Sequence, residues 1–406
     1  MNLPSSSYAV GGSRDDLALH AHRFLLRSGL AIANVFAWVL LFHFFATVSG
    51  SVPRALLGTV LMYALSQGIT IVLTPVSAAH LGRGSRQSLI WGIVLAASAF
   101  VFLGATFAGY FSNSPAFWGV VAFAVLLGAY RALYWVPYQL HLANTGASAL
   151  PKRVFYEIVI AFMPLFAGAT LATVAGAPVR LLFGAAGLIG LSIIPALMLE
   201  DSPERFSWRY TYVFKQLFRP KHRTIVLTAL LDGIQGASLF LLWPLAVFLI
   251  IGWSYSTLGI VFSATLLAIL ALRGVYNTLV HRFGLEDSTV VHTVFAVSGW
   301  VARLAAGTPV GVVIADSYSY TTSPLRGTSS DPFVFEQATD RGSFVDEYTA
   351  LKEIALAFGR ILLCVLVGAL LYIAPVEVAF GAGLILAALA AGVSVLLARR
   401  PTSASF

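Results

Sequence analysis

The chain has 406 residues, of which 58% are apolar and only 10% are charged, with 25 Lys and Arg against 17 Asp and Glu. A soluble domain keeps about a quarter of its residues charged and about 45–50% apolar, so this composition, with a mean hydropathy of +0.85, excludes a soluble globular protein and describes a polytopic membrane protein. The net charge of +8 does not indicate nucleic acid, because the basic residues sit in short segments between apolar runs, and the single cysteine, Cys364, excludes a disulfide framework or a cysteine metal site.

Residues 1–28 read as a polar cytoplasmic tail, too long and polar for the start of a signal peptide, so the first apolar run stays in place as a helix. A helix needs about 20 mostly apolar residues to cross a hydrocarbon core of about 30 Å. Spans one to six are predicted near 29–48, 55–78, 88–110, 116–142, 154–176 and 181–199, an N-terminal six-helix bundle over 29–199.

Span four carries the first charge at depth. An ionisable side chain there is costly unless it meets a cavity or a partner, and Arg131 stands near the middle of the span. Tyr130, Tyr134, Tyr138 and His141 step by four, four and three, and Trp135 follows Arg131 by four, so one broad face is polar and aromatic. Such a face can hold a solute by hydrogen bonds, stacking and cation–π contact; the alternative is an interfacial aromatic belt with a structural salt bridge. Pro137 is expected to break or bend this helix. Glu157 lies just inside span five, suited to gating or to plain interfacial placement.

Residues 200–223 form a cytoplasmic central loop. Ser202 and Pro203 make a helix start, Phe206, Tyr210, Val213, Phe214 and Leu217 recur on one side, Arg205, Arg209, Gln216 and Arg219 take the other, and Pro220 ends the run. This reads as a basic amphipathic helix lying on an anionic leaflet, with a solvated linker as the alternative.

Spans seven to twelve follow near 224–250, 257–280, 289–305, 307–323, 349–373 and 376–398, a second bundle over 224–398 before a short tail, 399–406. Asp232, with Gln235 three residues on, shares span seven with no basic residue and is the first candidate for carrying a coupling proton; a buried acid bonded to helix backbone is the alternative. Asp316, Ser319, Tyr320 and Ser323 share a face of span ten, and Asp316 is expected to pair with Arg131 or with Arg360. In span eleven Glu353 stands near the inner end, seven residues before Arg360. His43 and His292, single histidines among apolar neighbours, are expected to bond backbone carbonyls. The loop 324–348 is mildly acidic.

With the N-terminus inside, Arg83, Arg86, Lys152, Arg153, the run from Arg205 to Arg223, Arg282, Arg326, Arg341, Arg399 and Arg400 all fall on the cytoplasmic side, while only Arg54, Arg180 and Arg303 fall opposite. Basic residues resist translocation, so both termini are expected in the cytoplasm of a cell inner membrane.

The turn Ala79-His80-Leu81-Gly82-Arg83-Gly84-Ser85-Arg86 after span two is echoed by His281-Arg282-Phe283-Gly284 after span eight, and Glu157 in span five by Glu353 in span eleven. Twelve spans as six plus six, a basic central loop and these glycine-arginine turns resemble the major facilitator superfamily of secondary transporters. The family turn usually reads Asp-Arg-x-Gly-Arg followed by a base; here His281 stands in place of the Asp that takes part in the family's cytoplasmic latch. An Arg midway along span four, a further family feature, is matched by Arg131.

The resemblance implies an all-α fold of two pseudo-symmetric six-helix bundles, with spans one, four, seven and ten lining a central cavity and alternating access as the mechanism. It implies substrate contacts from Arg131, Tyr130, Tyr134, Trp135, Tyr138, Gln235 and Tyr320. Asp232 and Asp316 would carry the coupling proton, and Glu157, Glu353, Arg360, Arg83, His281 and Arg282 would serve in gating or salt bridges. The expected activity is secondary, proton-coupled transport of a small or amphipathic solute by a monomer in contact with membrane lipids, without cofactor, metal or nucleic acid. Two other readings are a non-transporting assembly factor or sensor and a lipid transporter. No P-loop, HExxH or nucleophile motif occurs, which argues against an enzyme or an ATP-driven pump.

Overall fold

The computed structural model describes residues 13–81, 84–111, 114–144, 153–201, 208–283, 289–322 and 347–398, which form helices and connecting turns with no strand among them. The first half contains α1 (Ser13–Ser49), α2 (Val52–His80), α3 (Ser85–Phe107), α4 (Ser114–Asn144), α5 (Arg153–Thr173), α6 (Ala177–Leu191) and the single turn α7 (Ile193–Ala196). A short helix, α8 (Tyr210–Leu217), leads to the second half. There α9 (Arg223–Ala237), a π-helical turn (Ser238–Leu242) and α10 (Trp243–Ile250) make one continuous segment, followed by α11 (Tyr255–Arg282), α12 (Thr289–Leu304), α13 (Pro309–Thr321), α14 (Glu347–Ile373) and α15 (Val376–Ala398).

Ten segments among the described residues are long and apolar enough to cross a membrane. The protein is therefore an integral membrane protein. The predicted ninth and tenth spans are helical but short, with 16 residues in α12 and 13 in α13; at 1.5 Å per residue they measure roughly 24 and 20 Å.

Local chemistry explains most boundaries. Ser254 accepts from the Thr257 N–H to start α11, and Thr308 accepts from Gly311 N–H ahead of Pro309 to start α13. Gly176, at φ +67°, separates α5 from α6. Pro195 has no N–H to give the Leu191 carbonyl, and the sixth span breaks at Ser192. Pro244 cannot bond the Phe240 carbonyl, and the backbone widens into the π turn just before it. Pro137 does not break α4, which continues to Asn144. α1 begins at Ser13, well before the predicted apolar run at 29, because His22, a polar residue by sequence, is buried between the fourth and sixth spans.

The helices pack as a repeat. In the first half α1 meets α5 and α6, α2 meets α4, and α3 meets α4 and α6; in the second, α9 meets α14 and α15, α11 meets α13, and α12 meets α13 and α15. Each of these neighbour pairs maps onto its counterpart six spans on, which is the pseudo-twofold relation. The halves meet along two equivalent crossings, α2 with α14 and α5 with α11. At the second, Gly168 lies against the Tyr255 carbonyl and Gly259 against that of Pro164, so neither position has room for a side chain. Beside Pro164, which interrupts the ladder of α5, the Leu165 N–H donates to Ser263 Oγ at 2.9 Å.

Where α1 finishes, Phe42 and His43 pack on Phe248, Trp253 and Tyr255 of the other half. His43 Nδ1 is hydrogen-bonded to the Tyr255 hydroxyl at 3.0 Å, so its partner is a side chain rather than the backbone carbonyl expected.

The central helix also departs from expectation. It is only eight residues long, and its apolar ridge rests on protein rather than lipid. Val213 and Leu217 are buried with Ile71 of α2 and with Leu351, Ile354 and Ala355 of α14, and the Tyr210 hydroxyl donates to the Val72 carbonyl. α8 thus touches both halves at once. Residues 202–207, where the predicted helix start falls, lie outside the described residues.

Candidate functional site

The polar residues at membrane depth gather in three places. The first is the crossing of α2 and α14. Thr59, Tyr63, Ser66, Gln67, Thr70 and Thr74 form a buried stripe on α2, spaced three or four residues apart apart from the adjacent pair at 66 and 67. Arg360, buried on α14, donates from Nη1 to Gln67 Oε1 at 3.0 Å. Gln67 in turn donates to Ser66 Oγ at 3.0 Å, and Thr70 donates to the Gly128 carbonyl of α4 at 3.1 Å. Gly128 lets the α2 and α4 backbones touch, since a side chain there would strike the Ser66 carbonyl. One turn further along α4, Arg131 is buried with its guanidinium 6.0 Å from the centre of the Tyr63 ring, the outer limit of cation–π contact.

Asp232 lies on the C-terminal side of this crossing. Gln235 donates to its Oδ1 at 3.2 Å and Ser394 of α15 to the same oxygen at 2.7 Å. Asp232 and Gln235 are therefore brought together as expected. The helices here are in backbone contact: Gly233 lies against the Leu356 carbonyl and Gly359 against that of Leu230. Gly236, one turn after Asp232, leaves space that Arg360 occupies, with Nε 3.7 Å from where a Cβ would stand. Two guanidinium groups and one carboxylate thus lie at depth on helices α4, α14 and α9.

The second place corrects the expected partner of Asp316. Both of its carboxylate oxygens are engaged within its own half: Arg303 Nε donates to Oδ1 at 2.6 Å, and Trp243 Nε1 donates to Oδ2 at 2.8 Å. Neither Arg131 nor Arg360 is its partner. Arg303, placed by sequence at the outer end of span nine, is 1% exposed, donates to Ser319 at 2.9 Å and is flanked by the rings of Trp300, Tyr320 and Trp243 at 4.7, 5.1 and 5.9 Å. Tyr320 therefore belongs with Arg303, away from the span-four residues with which it was grouped. The pair ties α10, α12 and α13 together.

The third place is the aromatic face of α4. Tyr130, Tyr134, Trp135 and Tyr138 are all buried and pack on one another, Tyr134 stacking on Tyr138 at 5.3 Å and meeting Trp135 edge-on at 4.9 Å. The Tyr134 hydroxyl is hydrogen-bonded to His22 Nε2 at 2.9 Å, and His22 Nδ1 meets the Ser192 carbonyl at 3.0 Å. Since the carbonyl only accepts, His22 carries its proton on Nδ1 and, when neutral, accepts from Tyr134 on Nε2.

The expected gating residues are dispersed. Glu157 is buried on α5, Glu353 is half-buried on α14, and His281 and Arg282 are exposed at the end of α11. Arg83 lies outside the described residues. Its turn is shaped by Gly84, at φ +127°, where a side chain would strike the Asp201 carboxylate; that carboxylate accepts from the Arg86 N–H at 3.1 Å, capping α3 from a distance.

Sequence reasoning passed over Gln67, Arg303, His22, Trp243 and Ser394. The helical spacing of hydroxyl and amide groups on α2 would have exposed Gln67. Trp243 and Ser394 carry no signal, because an indole or a lone serine in an apolar helix is ordinary.

No protein-family model and no curated protein matches the chain. Among solved structures, it aligns with a bacterial homologue of the iron transporter ferroportin in an inward-facing state, at 16% identity, TM-score 0.58, over 95% of this chain and 97% of that one. It aligns likewise with the peptide transporter POT, at 14% identity, TM-score 0.57, over 94% and 93%. A POT family transporter in complex with 5-aminolevulinic acid aligns at 12% identity, TM-score 0.56, over 94% of each chain. Identities this low establish the fold alone, and it is the fold these transporters share.

Proposed function

We propose that this protein is a secondary transporter that moves a small solute by alternating access, with the two halves rocking about the crossings of α2 with α14 and α5 with α11. The observation that carries this reading is the buried polar cluster at the first crossing, where Arg360 of one half is held by Gln67 of the other and lies against the helix that bears Asp232. Buried charge at depth is costly unless it serves binding or coupling. Placed where the halves meet, it is sensitive to their relative movement.

In this reading the two guanidinium groups favour a solute with an anionic group, and the buried aromatic side chains beside Arg131 supply apolar contact. Asp232 is the site of proton uptake: its Oδ1 receives two donors while it is ionised, and a proton that neutralises it would weaken its hold on Gln235 and Ser394. Asp316 is assigned to holding the second half together, since both its oxygens are already bound there. The protein is taken to act as a monomer in a bacterial inner membrane with both termini in the cytoplasm, from the distribution of basic residues.

The test is thermal unfolding of the purified protein against a panel of solutes at acid and alkaline pH, for wild type, Arg131→Ala and Asp232→Asn. A ligand specific for the folded state raises the melting temperature by mass action. The expected result is a solute whose shift is lost in Arg131→Ala and whose pH dependence is lost in Asp232→Asn. A shift with unchanged pH dependence in Asp232→Asn would contradict the coupling role.

A further inference from the structure

The stretch 208–223 contains Arg209, Lys215, Arg219, Lys221 and Arg223 and no acidic residue. All five are exposed, and none forms an ion pair among the described residues. The apolar ridge of α8 is already buried on α2 and α14. What remains outward is therefore charge together with Tyr210, which is 43% exposed, and Phe218, which is 86% exposed. Phe218 stands two residues before Pro220, where the membrane-spanning segment 220–250 begins, and Ile225 is the next exposed apolar side chain along it. This stretch consequently lies where hydrocarbon gives way to headgroups.

We propose that Arg209, Lys215, Phe218, Arg219, Lys221 and Arg223 form a docking surface for an anionic phospholipid leaflet. Exposed bases next to a span attract anionic headgroups, and an aromatic ring inserted at that level adds apolar burial. A soluble acidic protein would satisfy the charges but would leave Phe218 at the hydrocarbon boundary without a role, so the leaflet is the better occupant. Because α8 rests on α2 of one half and α14 of the other, a leaflet that holds α8 also acts on the contact between halves. This surface is separate from the solute site and does not depend on the transport reading.

The full-length chain in mixed micelles is titrated with phosphatidylglycerol or phosphatidylcholine while thermal unfolding is followed. Phosphatidylglycerol is expected to raise the melting temperature and phosphatidylcholine to leave it unchanged. In the variant R209Q/K215Q/R219Q/K221Q/R223Q the phosphatidylglycerol midpoint should rise by on the order of a thousandfold, each base contributing about fivefold; an unchanged midpoint overturns the proposal. Should that variant fail to fold, K215Q/K221Q provides the same reading with a smaller shift. If the variant melts below wild type in phosphatidylcholine alone, the bases are neutralised by acidic residues of the chain itself, which also overturns it.

Discussion

Arg360 on α14 donates to Gln67 on α2 at 3.0 Å, and through this bond a buried charge of the second half is held by a neutral amide of the first. An amide can release a guanidinium more readily than a carboxylate can, because no ion pair is broken. Hydrogen bonds to charged groups contribute about 1.5–3 kcal/mol, so Gln67→Leu should lower stability by about that amount. In a double-mutant cycle with Arg360→Met, denaturation in detergent should show non-additivity of about 0.5–3 kcal/mol; strict additivity would mean that the contact contributes nothing.

The Arg303–Asp316 pair should behave as a structural bridge. Removing one partner leaves the other buried and uncompensated, at a cost of about 3–5 kcal/mol, so Asp316→Asn and Arg303→Met should each unfold far more easily than wild type. The double variant R303M/D316L should regain most of the loss. If Asp316→Asn instead keeps wild-type stability while altering pH-dependent solute binding, the coupling role belongs to Asp316.

At the α5–α11 crossing, Gly168→Ala drives a Cβ into the Tyr255 carbonyl. Overpacking of this kind costs about 1–3 kcal/mol. Gly187→Ala on α6 meets nothing within 4 Å and should be neutral or gain up to about 1 kcal/mol from reduced backbone entropy. Melting temperatures of the two variants, measured side by side, check the difference.

Gly84 combines a φ of +127° with the close approach of Asp201. Gly84→Ala should therefore destabilise by more than about 1 kcal/mol. Asp201→Ala, which removes the distant cap from α3, should cost about 1 kcal/mol. Their effects should be non-additive, since the two changes act on one contact; calorimetry of the single and double variants tests this.

Ten of the predicted spans were legible because apolar runs of membrane length have few alternative readings, whereas the ninth and tenth coincide with shorter helices of 16 and 13 residues. The polar exceptions were less legible. His22 is buried in α1 although the surrounding sequence reads as a tail, because its partners, Tyr134 and Ser192, are 112 and 170 residues away. Arg303 read as a flanking base because it stands in the last turn of a short apolar helix, and only the packing of α12 on α13 shows that it turns inward to Asp316. Periodicity placed Asp232 with Gln235 correctly, since both lie on one helix. Pairings between helices, such as Arg360 with Gln67 or Asp232 with Ser394, depend on tertiary geometry that no spacing encodes. The ridge of α8 was recognised, but amphipathicity does not distinguish lipid from a neighbouring helix.

Alternating access itself is tested by distances across the interface at both ends of the molecule. With Cys364 replaced by Ala, spin labels at Val48 and Val310 report one end, and labels at Val154 and Leu279 report the other; all four positions are exposed. Pulsed electron spin resonance at acid and alkaline pH, with and without a solute that shifts the melting temperature, should show two distance populations at each end, one end opening as the other closes. A single distance at both ends that no pH or solute alters would contradict the transporter reading.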